Sequence, residues 1–298
     1  MEVTALSKSI QGINIILLLF STKNIMVFNT GETSDELKAK YNPEGSLLRR
    51  VQLRMLDMLL YFDTVCKEQH ISYRLDGGTL LGAVRHGGFI PWDDDLDVAI
   101  DSQEDYKKIL QYLKNHPHPQ FVLQHKKTDK GFNNIWFTIR DVKSEYIHLD
   151  EETAKHDNLR KYRGLQIDVF PYEPKRIRTL SLFCKKMMRF NTKYLLLRHK
   201  ILSNMLFGVQ RNFIHPLFNI ISSFFGNKNK YMISYGTPFN NVFPRSIMKP
   251  YKSITFEGHE FPVPADADKF LTVQYGNYMD LPPIDNRNHH NVTFKIWN

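Results

Sequence analysis

Residues 71–100 place two short strands, a Gly-Gly turn and a helix-length segment in immediate succession, and this unit narrows the folds open to the chain. ISYRL (Ile71–Leu75) reads as a strand that Asp76, Gly77 and Gly78 end, and Thr79 is predicted to cap a helix running to about Arg85. After a turn from Gly87 to Trp92 containing Pro91, DLDVAI predicts a strand over Asp95–Ile100. Its period of two puts Asp95 and Asp97 on one face and Leu96, Val98 and Ile100 on the other. One face can therefore enter a core while the opposite one presents carboxylates.

This arrangement suits phosphate chemistry. A helix start at Gly78 and Thr79 offers backbone N–H groups and a positive dipole end, and glycines let an anion approach the main chain closely. Two carboxylates on the adjoining strand can share a divalent cation that bridges to the phosphate. A third completes the set or accepts a proton, and Asp168 in GLQIDVF (Gly164–Phe170), a further predicted strand, is the candidate. Asp93, Asp95, Asp97 and Glu104 also match the ligand spacing of a calcium loop, but Val98 stands where that loop needs glycine.

Around this unit the pattern predicts an amphipathic helix over Leu47–Gln69, a helix over Ser102–Asn115, strands at Gln120–Gln124 and Ile135–Asp141, and a hairpin around Glu257 and Gly258. With 298 residues, 42% hydrophobic, the chain can bury a substantial core. The expected class is α/β (α+β): a small mixed sheet flanked by helices, with an additional helical subdomain. Residues 1–46 form a lead-in, 47–175 the catalytic core, 176–235 the helical subdomain, and 236–298 the part that completes the domain.

The net charge of +9 is concentrated: Pro174–Lys230 holds twelve Lys and Arg and no Asp or Glu. This segment is mostly helical in pattern, with Pro216 as an expected break. A dock for an anionic membrane or lipid-linked glycan, a nucleic-acid surface and a plain solvated face all suit it, nucleic acid least. Near the N-terminus, the apolar run Ile13–Phe20 is shorter than the roughly 20 residues that span a bilayer, and translation from Met26 would omit it. The two cysteines, Cys66 and Cys184, suggest neither a disulfide framework nor structural zinc, which fits a cytoplasmic setting.

The stretch LDGGTLLGAVRHGGFIPWDDDLDVAI (Leu75–Ile100) resembles the signature of the LicD family, which includes the fukutin-related proteins. LQIDVFPYE and FPVPADADKFLTVQYGNYMDLPP follow in the family's order, so the likeness spans roughly Leu47 to His290. The resemblance implies a nucleotidyltransferase-like fold and a transferase that moves a phosphorylated small alcohol to a sugar hydroxyl. The implied donor is CDP-choline or a similar CDP-alcohol. The implied acceptor is a surface glycan such as lipopolysaccharide or teichoic acid, or a lipid-linked sugar. By position, Asp95, Asp97 and Asp168 would be the catalytic carboxylates and hold Mg2+ or Mn2+. Gly77, Gly78 and Thr79 would contact phosphate and Arg85 would clamp it, while His86, Trp92 and Asp93 would shape the surrounding loop. The expected location is cytoplasmic, peripheral at the inner membrane face. A metal-dependent glycosyltransferase would also use Asp-x-Asp, but with a larger nucleotide-binding unit before it. A non-catalytic membrane-associated binding module is the remaining alternative.

Overall fold

A computed structural model describes residues 28–287 and 291–297, so the apolar run Ile13–Phe20 and the question of Met26 lie outside the described residues. Helix α1 (Ser34–Tyr41) precedes α2 (Leu47–Glu68), whose apolar stripe, including Val51, Met55, Leu59 and Phe62, is fully buried against the sheet. Then come β1 (Arg74–Leu75), α3 (Gly77–His86), β2 (Leu96–Ile100), α4 (Gln103–Asn115), β3 (Phe121–Gln124), β4 (Phe137–Asp141), β5 (Ser144–His148), α5 (Glu151–Asp157) and β6 (Gln166–Pro174). The basic helices α6 (Arg178–Phe190), α7 (Lys200–Val209) and α8 (His215–Phe225) follow. The chain ends with β7 (Lys230–Ile233), β8 (Phe243–Pro244), α9 (Arg245–Met248), the hairpin β9 (Lys252–Phe256) and β10 (His259–Val263), α10 (Ala267–Tyr275) and β11 (Val292–Ile296).

The main sheet runs β1-β2-β6-β4-β3, with β7 joining β6 and β8 joining β7. Strands β2 and β6 are parallel and the other pairs antiparallel, giving the mixed α+β architecture that the pattern implies. Parallel neighbours need a long crossover, and residues 101–165 supply it with α4, β3 and β4. Ile139, Ile167, Val169, Leu96 and Val98 are fully buried, so the central strands face the core with their apolar positions. A separate ribbon of β5 and β11 was not visible in the residue pattern, because its two strands are far apart in the chain.

Two local expectations change. The helix after the Gly-Gly turn begins at Gly77 with Asp76 at its N-cap, so Thr79 lies inside the first turn rather than capping it. Gly77 has φ +53°, which lets the chain leave β1 and enter the helix at once. Pro216 does not break the basic segment. It sits in the first turn of α8, directly after a π-helical turn at Gln210–Ile214, where the widened ladder accommodates its missing N–H. Cys66 and Cys184 are both buried free thiols.

Candidate functional site

The main chain of Asp97 is held on both sides by the Gly-Gly turn. Its N–H donates to Thr79 Oγ1 at 2.8 Å, and its carbonyl accepts the Asp76 N–H at 3.1 Å. This closeness requires glycine at 77 and favours it at 78. A Cβ on Gly77 would collide with the Asp97 carboxylate, and one on Gly78 would stand 2.9 Å from Asp93 Oδ2. Asp76 does not cap α3 with its side chain, because its carboxylate accepts from the fully buried Arg74 at 2.9 Å. The first turn of α3 therefore takes no side-chain cap from Asp76, and it lies beside a bank of carboxylates.

Asp97, Asp168 and Thr138 form a row across three neighbouring strands. Asp97 of β2 is the register partner of Asp168 in β6, which is in turn the partner of Thr138 in β4. Thr138 Oγ1 donates to Asp168 Oδ1 at 2.5 Å. Desolvation, then the charges of Asp95, Asp168, Asp76 and Asp93, hold the Asp97 carboxyl well above the usual carboxylate range. Asp168 is also pushed up by burial, against the opposing pull of Thr138 and Arg140. Asp95 lies one residue before β2 and contributes the largest of the charges acting on Asp97.

The loop carrying Asp93 and Asp94 is fixed from both directions. Gln52 of α2 donates to the carbonyls of Ile90 and Asp93, and Tyr146 Oη donates to Asp94 Oδ2 at 2.9 Å. Asp95 lines a cavity of about 270 Å³ together with Arg140, Arg160, Tyr146 and His148. Burial brings Arg140 down to about 10, and its guanidinium is braced by Gln124 Oε1 and the Gly164 carbonyl. Arginines beside aspartates give this hollow both signs of charge, which suits an anionic ligand approaching through a cation or the α3 N-terminus. Tyr275, at the end of α10, has its phenol pushed up by desolvation and then by the charges of Asp97, Asp76, Asp93 and Asp95.

Not every residue singled out from the sequence points into this space. The Thr79 hydroxyl is committed to the Asp97 backbone, so it positions the carboxylate. Arg85 is a strap rather than an open clamp: Nη1 donates to the Tyr278 carbonyl at 2.9 Å and Nε to His86 Nε2 at 2.9 Å. Burial lowers Arg85 to about 10, with Asp93 opposing the shift. Burial, then Arg85 and Lys38, brings His86 down to about 3. His86 is therefore neutral, its Nδ1 meeting Ser34 Oγ at 2.8 Å, and Trp92 packs edge-on against its ring. Thr138, Arg140, Arg160 and Tyr146 were missed, because sheet register and the chain crossover bring them here.

Among the described residues, no three acidic, histidine or cysteine side chains already converge as a closed cation site. The donors are nonetheless hard carboxylate oxygens, and the mutual repulsion recorded at Asp97 is of the kind a divalent cation relieves.

Residues 70–201 match the LicD/FKTN/FKRP nucleotidyltransferase domain, a span from just before β1 into the start of α7. The lipopolysaccharide cholinephosphotransferase LicD of Haemophilus influenzae is 29% identical over 272 residues, covering 82% of this chain and 96% of that protein. An uncharacterised protein of Rickettsia prowazekii is 28% identical over 160 residues, 47% of this chain and 57% of that one. The human ribitol 5-phosphate transferase FKRP is 50% identical over 40 residues, 13% of this chain and 8% of its own length. The matched span contains the Gly-Gly turn, both strands of the aspartate row and the Asp95 cavity, so it is over its candidate site that the chain is similar to the LicD/FKTN/FKRP nucleotidyltransferase domain.

Proposed function

We propose that this chain is a Mg2+-dependent phosphotransferase that moves phosphocholine from CDP-choline to a sugar hydroxyl of a cell-surface glycan, with CMP as the leaving group. The observation that carries the reading is the row of Asp97 and Asp168 set beside the N-terminus of α3, which Asp76 does not cap with its side chain. Near full-length similarity to a lipopolysaccharide cholinephosphotransferase supports the choice of donor and acceptor. A cytoplasmic location follows from that donor, a soluble nucleotide.

Asp95, Asp97 and Asp168 would hold the cation, which when bound neutralises phosphate charge and polarises the phosphoryl oxygens. The α3 N–H groups bind the phosphates, and Gly77 and Gly78 keep that approach open. Arg140 and Arg160 draw the anionic donor into the cavity beside Asp95. The acceptor hydroxyl attacks the phosphorus distal to cytidine, in line with the departing CMP oxygen, and its proton goes to the Asp168 carboxylate. Thr138 orients that carboxylate through Oδ1. Tyr275 offers an aromatic face to the quaternary ammonium.

The test is transfer of radiolabelled phosphocholine from CDP-choline to a panel of lipopolysaccharide and teichoic-acid acceptors. Label in a glycan supports the reading. Labelling from CDP-ethanolamine or another CDP-alcohol in its place would overturn the donor while keeping the chemistry.

A further inference from the structure

The basic helices are amphipathic the wrong way round for a surface in water. Along α6, α7, α8 and the turns joining them, the buried positions are Cys184 and five polar residues, Ser181, Asn191, Ser203, Gln210 and Ser222. Ile201 and Phe225 are each 80% exposed, Phe224 78% and Phe213 70%, all from the same helices. Several of the inward polar atoms, Ser181 Oγ, Ser203 Oγ, Asn191 Oδ1 and Gln210 Nε2, have no hydrogen-bond partner. A helix that leaves polar groups unsatisfied inside and large apolar groups outside is packed for an apolar exterior.

Charge decides what that exterior is. Arg178, Lys186, Arg189, Lys193, Arg198 and Lys200 are exposed on these elements, and no acidic residue occurs between Pro174 and Lys230. A second copy of the chain would bring this uniformly basic face against itself, at a Coulombic cost. An anionic bilayer receives both features, the rings and aliphatic chains among the lipid tails and the cations among the headgroup phosphates. Among the described residues no helix is long and apolar enough to cross a membrane.

We propose that α6, α7 and α8 form a peripheral dock for an anionic lipid surface, seated by Ile201, Phe213, Phe224 and Phe225. The dock is tied rigidly to the carboxylate row. Strand β6 runs from Asp168 to Pro174, about 20 Å at strand rise, and leads directly into α6. Arg211 also donates to the carbonyls of Asn133 and Asn134, at the approach to β4. Docking would hold the site at a set height above the bilayer. The inference does not depend on which group is transferred.

The test is sedimentation of the full chain with phosphatidylcholine vesicles, with and without phosphatidylglycerol. An apolar variant (Ile201→Ser, Phe213→Ser, Phe224→Ser) and a charge variant (Lys186→Gln, Arg189→Gln, Lys193→Gln) are compared, with circular dichroism melts as the folding control. The full chain is expected to bind the anionic vesicles, and each folded variant to bind far less. The charge variant should lose about a hundredfold in partitioning at low salt, at about fivefold per charge. Every protein keeps residues 1–27, so binding that survives both sets of substitutions would overturn the proposal. So would absence of binding, or a solution dimer that the apolar substitutions dissociate, which would assign the face to self-association.

Discussion

Asp97 and Asp168 stand side by side as register partners on two parallel strands, with their carboxyls held up by burial and, at Asp97, by three further aspartates. For Asp97 the folded pKa lies above the unfolded one, so the folded chain keeps a proton that the unfolded chain releases. That contribution is full below the ordinary aspartate pKa of about 3.9 and is lost as pH rises through the raised value. Asp97→Asn should therefore be more stable than the parent at neutral pH without divalent cation, with the difference vanishing towards acid. Mg2+ should stabilise the parent and not the variant. Thermal melts across pH, with and without Mg2+, measure both effects.

The two glycines of the turn should respond differently to alanine. Gly77→Ala forces a left-handed residue and a collision with Asp97, and should cost about 1–3 kcal/mol together with activity. Gly78→Ala meets only the movable end of the Asp93 side chain, so it should fold normally and weaken donor binding by crowding the α3 N-terminus. Denaturant unfolding and calorimetric titration with CDP-choline separate the two.

Thr79 acts through its hydroxyl acceptor. Thr79→Val would leave the Asp97 N–H without its partner and should destabilise by about 1–3 kcal/mol, while Thr79→Ser should retain most activity. Equal losses in both variants would contradict the positioning role.

Arg85 should matter more to the fold than to phosphate affinity. Arg85→Met removes the donors to the Tyr278 and Asp280 carbonyls and should lower stability by about 1–3 kcal/mol. Its dissociation constant for CDP-choline should change less than about threefold, well under the 1.4 kcal/mol that a tenfold change represents. A folded variant with wild-type stability and lost affinity would restore the clamp.

What could be read from residues alone was local. The Gly-Gly turn, the alternation of DLDVAI and the isolated Asp168 each carry their meaning within a few residues, and the structure places them where they converge. The partners were illegible because they arrive by register. Thr138 meets Asp168 only through the pairing of β4 with β6, and Tyr146 reaches Asp94 from a ribbon closed by the C-terminal strand β11. The hairpin at Glu257 was visible as a turn, but not its consequence. Its carboxylate bonds Arg49 of α2 and the Phe89 N–H, pinning the turn that follows α3. Arg85 illustrates the opposite error, where charge suggested a ligand and burial supplied backbone carbonyls instead.

The most direct measurement is release of CMP from CDP-choline by the parent and by a folded Asp97→Ala variant, with and without Mg2+ and a glycan acceptor. The parent is predicted to release CMP only when both metal and acceptor are present, and Asp97→Ala to release none above background. A well-folded Asp97→Ala protein that turns over at the parent rate would contradict the account.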